Sequence, residues 1–121
     1  MNLFRKLFGA ANTTDRPSLQ EVDAATVREW HKRGECLLID IREDREFRAE
    51  RIPGACPAPL SRLEQSLPAS PPSKKAVFLC QSGGRTRMQA GRLASCGMGE
   101  AYVLKGGMTS WKANGFPVER S

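Results

Sequence analysis

The 121-residue chain reads as a single α/β domain built on a mostly parallel sheet. Short apolar runs alternate with stretches of helical periodicity from end to end, the pattern left by strands joined through helical crossovers. Two of those runs, Leu37-Leu38-Ile39 and Ala76-Val77-Phe78-Leu79, are apolar without alternation, as strands covered on both faces are. With 40% hydrophobic and 26% charged residues, the composition is that of an ordinary globular domain with a core of its own.

Taken in order, Met1, Phe4, Leu7 and Phe8 keep helical spacing, with Leu3 beside them and Arg5 and Lys6 opposite. Met1–Gly9 therefore suits an amphipathic anchor on a membrane surface, or a short helix packed on the domain or frayed. So short a helix is marginal alone, which favours the second reading. Ala10–Pro17 reads as a polar linker, so residues 1–17 form an extension and 18–121 the domain. Ser18–Val22 suits a short edge strand. Asp23 is a good N-cap for a helix from Ala24 to about Arg33, with Val22 and Val27 placed as a hydrophobic staple and Gly34 just past the end.

Cys36–Ile41 is the next strand, with Cys36 in its core. Glu43–Glu50 is a charged helix with Phe47 turned inward, and Arg42 and Glu46, four apart at its start, can pair. Ile52-Pro53-Gly54-Ala55 is a turn, and Cys56 follows in a loop. Leu60–Leu67 is a short helix, Pro68–Lys75 a proline-rich loop, and Ala76–Leu79 a buried strand. From Arg85 a helix runs to Cys96, with Met88, Leu93 and Cys96 marking its inner face. Ala101–Leu104 is a further strand, Lys105-Gly106-Gly107 a turn, and Met108–Ala113 a helix with Trp111 inward.

Chemistry concentrates where the Ala76–Leu79 strand runs into Cys80-Gln81-Ser82-Gly83-Gly84-Arg85-Thr86. Cys80 stands at a strand end just before a helix start. Unpaired backbone N–H groups and the helix dipole there favour an anion. Gly83 and Gly84 allow the positive φ angles that turn successive N–H groups inward. A sulfur inside such a cradle favours its nucleophilic thiolate form. Arg85 adds a permanent charge suited to an oxyanion. An inert buried cysteine would account for Cys80 but not for the Gly-Gly-Arg after it. Asp40 ends its strand where α/β folds place functional groups, and with Arg42 it is the candidate to support the loop from behind. Arg87, further along the helix, either adds to the positive field at the mouth or is an ordinary solvated arginine.

In this loop the chain resembles the rhodanese-like (sulfurtransferase) family, whose active loop has the form Cys-x-x-Gly-x-Arg-Ser/Thr. Two more stretches resemble that family in order. They are Leu37–Arg42 continuing through Glu46-Phe47 to Ile52-Pro53-Gly54-Ala55, and Tyr102–Met108 followed by Trp111 and Gly115-Phe116-Pro117-Val118. The resemblance spans roughly residues 18–119. Arg51 departs from it, since the family often has His there. The resemblance implies a five-stranded, mostly parallel sheet flanked by helices on both faces. It also implies an activity. Cys80 would take the outer sulfur of thiosulfate or a persulfide, hold it as a persulfide, and pass it to a thiophilic acceptor, cyanide in vitro or a thiol in the cell. Gln81 and Ser82 would line the entrance; Arg85 would hold the donor's anionic part or support the cradle. No metal or organic cofactor is required. The related dual-specificity phosphatases have a loop one residue longer, Cys-x5-Arg, where this chain has Cys-x4-Arg, which argues against phosphatase or arsenate chemistry. The remaining alternatives are a non-catalytic binding or regulatory module and a dedicated persulfide carrier.

The net charge of +6 suits anionic substrates, acidic partner proteins, nucleic acid or anionic lipid, or simply a generic basic surface. The generic surface is favoured over nucleic-acid binding because no nucleic-acid motif accompanies the charge. The expected partners are a small anionic sulfur donor and a thiol or protein acceptor, with the chain itself a monomer. The four cysteines, Cys36, Cys56, Cys80 and Cys96, have no zinc-type spacing, and Met1–Ala10 makes a poor secretory signal. A reducing cytoplasm is the expected setting. Cys56 is a remote candidate to resolve a disulfide or persulfide on Cys80. His31 reads as a surface helix residue.

Overall fold

The computed structural model describes residues 19–68 and 72–120. The expected Met1–Gly9 helix and its linker lie outside the described residues. Five strands, β1 (Gln20–Val22), β2 (Cys36–Asp40), β3 (Cys56–Pro57), β4 (Lys75–Leu79) and β5 (Ala101–Leu104), form one sheet in the order β1-β5-β4-β2-β3. Every pairing in it is parallel. Among the described residues six α-helices connect or follow them: α1 (Ala24–Lys32), α2 (Asp44–Ala49), α3 (Leu63–Ser66, led in by a 3-10 turn over Leu60–Arg62), α4 (Gly84–Met88), α5 (Ala90–Ala94) and α6 (Gly107–Ala113). No helix among the described residues is long and apolar enough to cross a membrane.

Side chains two apart on a strand share a face, and the central strands divide accordingly. Cys36, Leu38, Val77, Leu79 and Leu104 join Ala24 and Val27 of α1 and Met108 and Trp111 of α6 in one buried cluster. Ile39, Ala76 and Phe78 face the other way, toward Leu63 of α3 and Leu93 of α5. Both faces are thus covered, which is why these strands carry no polar alternation. β4 lies at the centre, between β5 and β2, so the residue that follows it emerges at the middle of the sheet's C-terminal edge.

The first helix begins as its sequence dictates: the Asp23 carboxylate accepts from the Thr26 N–H at 2.8 Å. Helix α2 starts at Asp44 with Glu43 as its cap, and Glu46 reaches back to the Glu43 N–H at 3.1 Å. Phe47 is only half-buried.

Three expectations are corrected. Cys56 is in a strand, not a loop: β3 is two residues long and pairs Cys56 with Ile39. A strand so short, with a proline as its second residue, leaves no periodic signal. The expected helix over Arg85–Cys96 is interrupted at Gln89, which leaves α4 with φ −103° and ψ 16° and also caps α5. Met88, expected inward, is 85% exposed. Thr86 is the fully buried residue of α4, and at about 100° per residue it turns Met88 about 200° away. Finally, His31 is half-buried rather than simply on the surface. Its Nε2 lies 2.8 Å from the Pro53 carbonyl oxygen, bracing the Ile52–Ala55 turn.

Candidate active site around Cys80

Cys80 is the first residue beyond β4 and is 1% exposed. Its Sγ accepts from the Gly83 N–H at 3.1 Å and lies 3.7 Å from the Thr86 hydroxyl. Gly83 takes φ +99°, a conformation that glycine adopts without strain, and this turns the chain back over the sulfur. The Thr86 hydroxyl also reaches the Gly83 carbonyl at 3.0 Å. Burial pushes the Cys80 thiol up. Hydrogen bonds to the sulfur from the Thr86 N–H and hydroxyl, the Gly83 N–H and the Arg85 N–H outweigh it, and the net displacement is downward. The other three cysteines go the other way: burial pushes Cys36 up to about 11 and raises Cys56 and Cys96 as well. All four are free thiols. Cys80 is therefore the one cysteine whose surroundings favour the thiolate.

The loop is held from behind by the start of α6. The Met108 N–H donates to the Cys80 carbonyl at 3.0 Å, and the Thr109 N–H donates to the Gln81 carbonyl at 2.9 Å. The Thr109 hydroxyl adds a second bond to that carbonyl at 3.1 Å. In a trans peptide the C=O and N–H point oppositely, so fixing these carbonyls also fixes the N–H groups of Gln81 and Ser82. Gly107 makes this contact possible: a Cβ there would lie 2.3 Å from the Cys80 carbonyl oxygen.

Two arginines flank the loop, and each is committed to a carboxylate. Arg85 makes a bidentate pair with Glu46, at 2.7 and 2.8 Å. The Arg85 guanidinium in turn holds the Glu46 carboxyl down at about 2. Arg42 is buried with Asp40, Nη2 to Oδ2 at 2.8 Å, and also donates to the Glu50 carbonyl at 2.7 Å and to Gln81 Oε1 at 3.2 Å. Arg42 thus reaches the loop through the Gln81 side chain, and Asp40 stands behind Arg42. The Arg42–Glu46 pairing expected from their spacing does not form. Burial of Arg42 directs it to Asp40, leaving Glu46 for Arg85.

Of the loop residues expected to line the site, Gln81, Gly84 and Arg85 are half-buried, Ser82 is exposed, and Gly83 lies at the turn over the sulfur. Sequence reasoning missed Glu46, Gly107 and Thr109 as parts of the site. Glu46 carries no local signal, since its partner is far along the chain. The Gly106-Gly107 pair was visible as a turn, and two adjacent glycines before a helix were a signal of close backbone approach. Among the described residues, no cluster of His, Cys, Asp or Glu could hold a metal ion.

The family description "Rhodanese-like domain" matches residues 23–114. An uncharacterized protein of Synechocystis, slr1261, is 33% identical over 96 residues, covering 79% of this chain and 54% of that protein. The putative sulfurtransferase YtwF of Bacillus subtilis is 30% identical over 100 residues, covering 82% of this chain and 96% of that protein. Among solved structures, a thiosulfate sulfurtransferase from Pseudomonas aeruginosa superposes with a TM-score of 0.75 at 23% identity. That superposition covers 93% of this chain and 22% of the larger one, and at this identity it speaks for the fold. The chain spans about half the length of the cyanobacterial relative.

Proposed function

The chain belongs to the rhodanese-like domain family, a family of sulfurtransferases, and from that premise we propose that it moves sulfane sulfur through a Cys80 persulfide. The observation that carries the reading is the sulfur's setting: a nearly buried Sγ meeting the Gly83 N–H at 3.1 Å and the Thr86 hydroxyl at 3.7 Å. Such a pocket suits a thiolate, and equally the terminal sulfur of a persulfide anion, because inward N–H groups stabilise either charge without reorganising.

Two half-reactions follow. The Cys80 thiolate attacks the outer sulfur of a donor. With thiosulfate, the new S–S bond forms as the donor's own S–S bond breaks, and the electron pair leaves with sulfite. An acceptor thiolate or cyanide then attacks the outer sulfur of the Cys80 persulfide, and the Cys80 thiolate is released. Free enzyme and persulfide alternate, so the kinetics are ping-pong. Since Cys80 is 1% exposed, the reacting end of the donor has to be slender. Arg85, tied to Glu46, fits a role in holding the loop's shape; Gln81, tied to Arg42, fixes one wall.

The test is the intact mass of the full chain after exposure to thiosulfate or a persulfide donor, beside Cys80→Ser. The expected result is a gain of one sulfur atom on the parent only, removed by cyanide. Folded parent protein that gains no sulfur from either donor would overturn the reading in favour of a binding module.

A further inference from the structure

A donor such as thiosulfate brings an oxyanion beside its sulfane sulfur, and something at the mouth has to meet that charge. The two arginines nearest the loop are poorly placed to do it. Arg85 already gives both terminal nitrogens to Glu46. The Arg42 side chain is 3% exposed and is spent on Asp40, the Glu50 carbonyl and Gln81. Each carboxylate cancels the charge of its arginine.

Arg87 is different. Its side chain is 69% exposed, and its ion-pair partner is Glu21, at a long 3.6 Å. Its Nη2 stands 3.7 Å from where a Cβ on Gly83 would be, and Gly83 is the residue whose N–H meets the sulfur. The Gly106 N lies 3.5 Å from the same point, so guanidinium and backbone nitrogen border one side of the loop together. On its far side Arg87 opens onto a groove of about 610 Å³, lined also by Leu19, Glu21, Met88 and Val103, which leaves the side chain room to swing. A long, exposed ion pair contributes little, so exchanging Glu21 for a ligand's oxyanion is cheap.

We propose that Arg87 is the donor-recognition residue. It leaves Glu21 to bind the oxyanion that a donor carries next to its sulfane sulfur, and it thereby selects charged donors over uncharged ones. The inference rests on the sulfur-transfer reading. In the thiosulfate half-reaction Arg87 holds the sulfonate while the Cys80 thiolate takes the outer sulfur, and sulfite leaves with the electron pair of the broken S–S bond. Arg87 forms no bond to the sulfur transferred, so its contribution falls on binding rather than on the chemical step.

The experiment compares the parent with Arg87→Gln, Arg87→Lys and Glu21→Gln, using two donors. One is thiosulfate; the other is an alkyl hydropersulfide with no charge beyond its reacting sulfur. For Arg87→Gln the expected result is a KM for thiosulfate raised roughly tenfold with kcat within about twofold, and a hydropersulfide KM within about twofold of the parent's. Arg87→Lys recovers part of the thiosulfate KM, and Glu21→Gln lowers it, because the competing carboxylate is gone. An equal effect on both donors, or none on either, would overturn the proposal. So would a parent protein that loads from the hydropersulfide but not from thiosulfate, which leaves sulfur transfer itself intact. A parent that loads from neither donor removes the sulfur-transfer reading and this inference together.

Discussion

The Thr86 hydroxyl has one proton and two acceptors within reach, the Cys80 sulfur and the Gly83 carbonyl. With a neutral thiol, S–H can donate to the hydroxyl oxygen while the hydroxyl donates onward to the carbonyl. With a thiolate, the hydroxyl proton turns to the sulfur. Thr86→Val keeps the shape and removes this choice. A hydrogen bond worth about 1 kcal/mol is about fivefold in an equilibrium, so alkylation of Cys80 by iodoacetamide at neutral pH should slow roughly fivefold. Its pH profile should move to higher pH, because an interaction that lowers the thiol has been lost. Mass spectrometry of the Cys80 peptide measures both, and an unchanged profile would mean the backbone N–H groups suffice. Cys80, Gly83 and Thr86 were legible in the chain because they act on one another within a single turn. Glu46 was not, since its guanidinium partner lies 39 residues away.

The α4–α5 segment shows how a site residue can set the phase of a helix. Met88 and Leu93 are five apart, about 140° around a regular helix, so they cannot share one narrow face. Thr86 and Leu93, seven apart, can, and both are buried. The buried polar threonine beside the sulfur takes the place of the obvious apolar residue as anchor. Met88→Ala should therefore change stability by no more than about 0.5 kcal/mol in urea denaturation. A core methionine truncated to alanine would lose about 2–5 kcal/mol. The strands fared better: β2, β4 and β5 were legible because unbroken apolar runs bounded by breakers have few other readings. β3 was not, because two residues carry no period.

The assembled fold brings together three distant stretches, around residues 40–46, 80–86 and 106–109, each recognisable alone but carried to one place by parallel pairing across the sheet. Sheet order and the carboxylate bracing of both arginines are properties of that assembly and are written in no single segment. The Arg85–Glu46 pair gives it a pH signature. The Glu46 carboxyl is lowered from an ordinary 4.5 to about 2. Its contribution to stability is therefore fully present above 4.5 and is lost as pH falls through about 2. Glu46→Gln retains the oxygen that caps α2 but loses the charge. The parent should exceed this variant by about 1 kcal/mol or less at neutral pH, since the pair is partly exposed. The gap in urea midpoints should hold down to about pH 5 and close by about pH 2. A gap that stayed constant across that range would assign the effect to packing rather than charge.

The close approach of Gly107 to the Cys80 carbonyl also sets an order of events in synthesis. A ribosome completes the sequence of the reactive loop well before it adds Met108 and Thr109, whose N–H groups orient that loop. Until α6 docks, the Cys80 and Gln81 carbonyls lack these donors, and the peptide planes beside the sulfur are free to turn. The loop is made before the helix that fastens it, so its final shape waits on a later stretch of sequence.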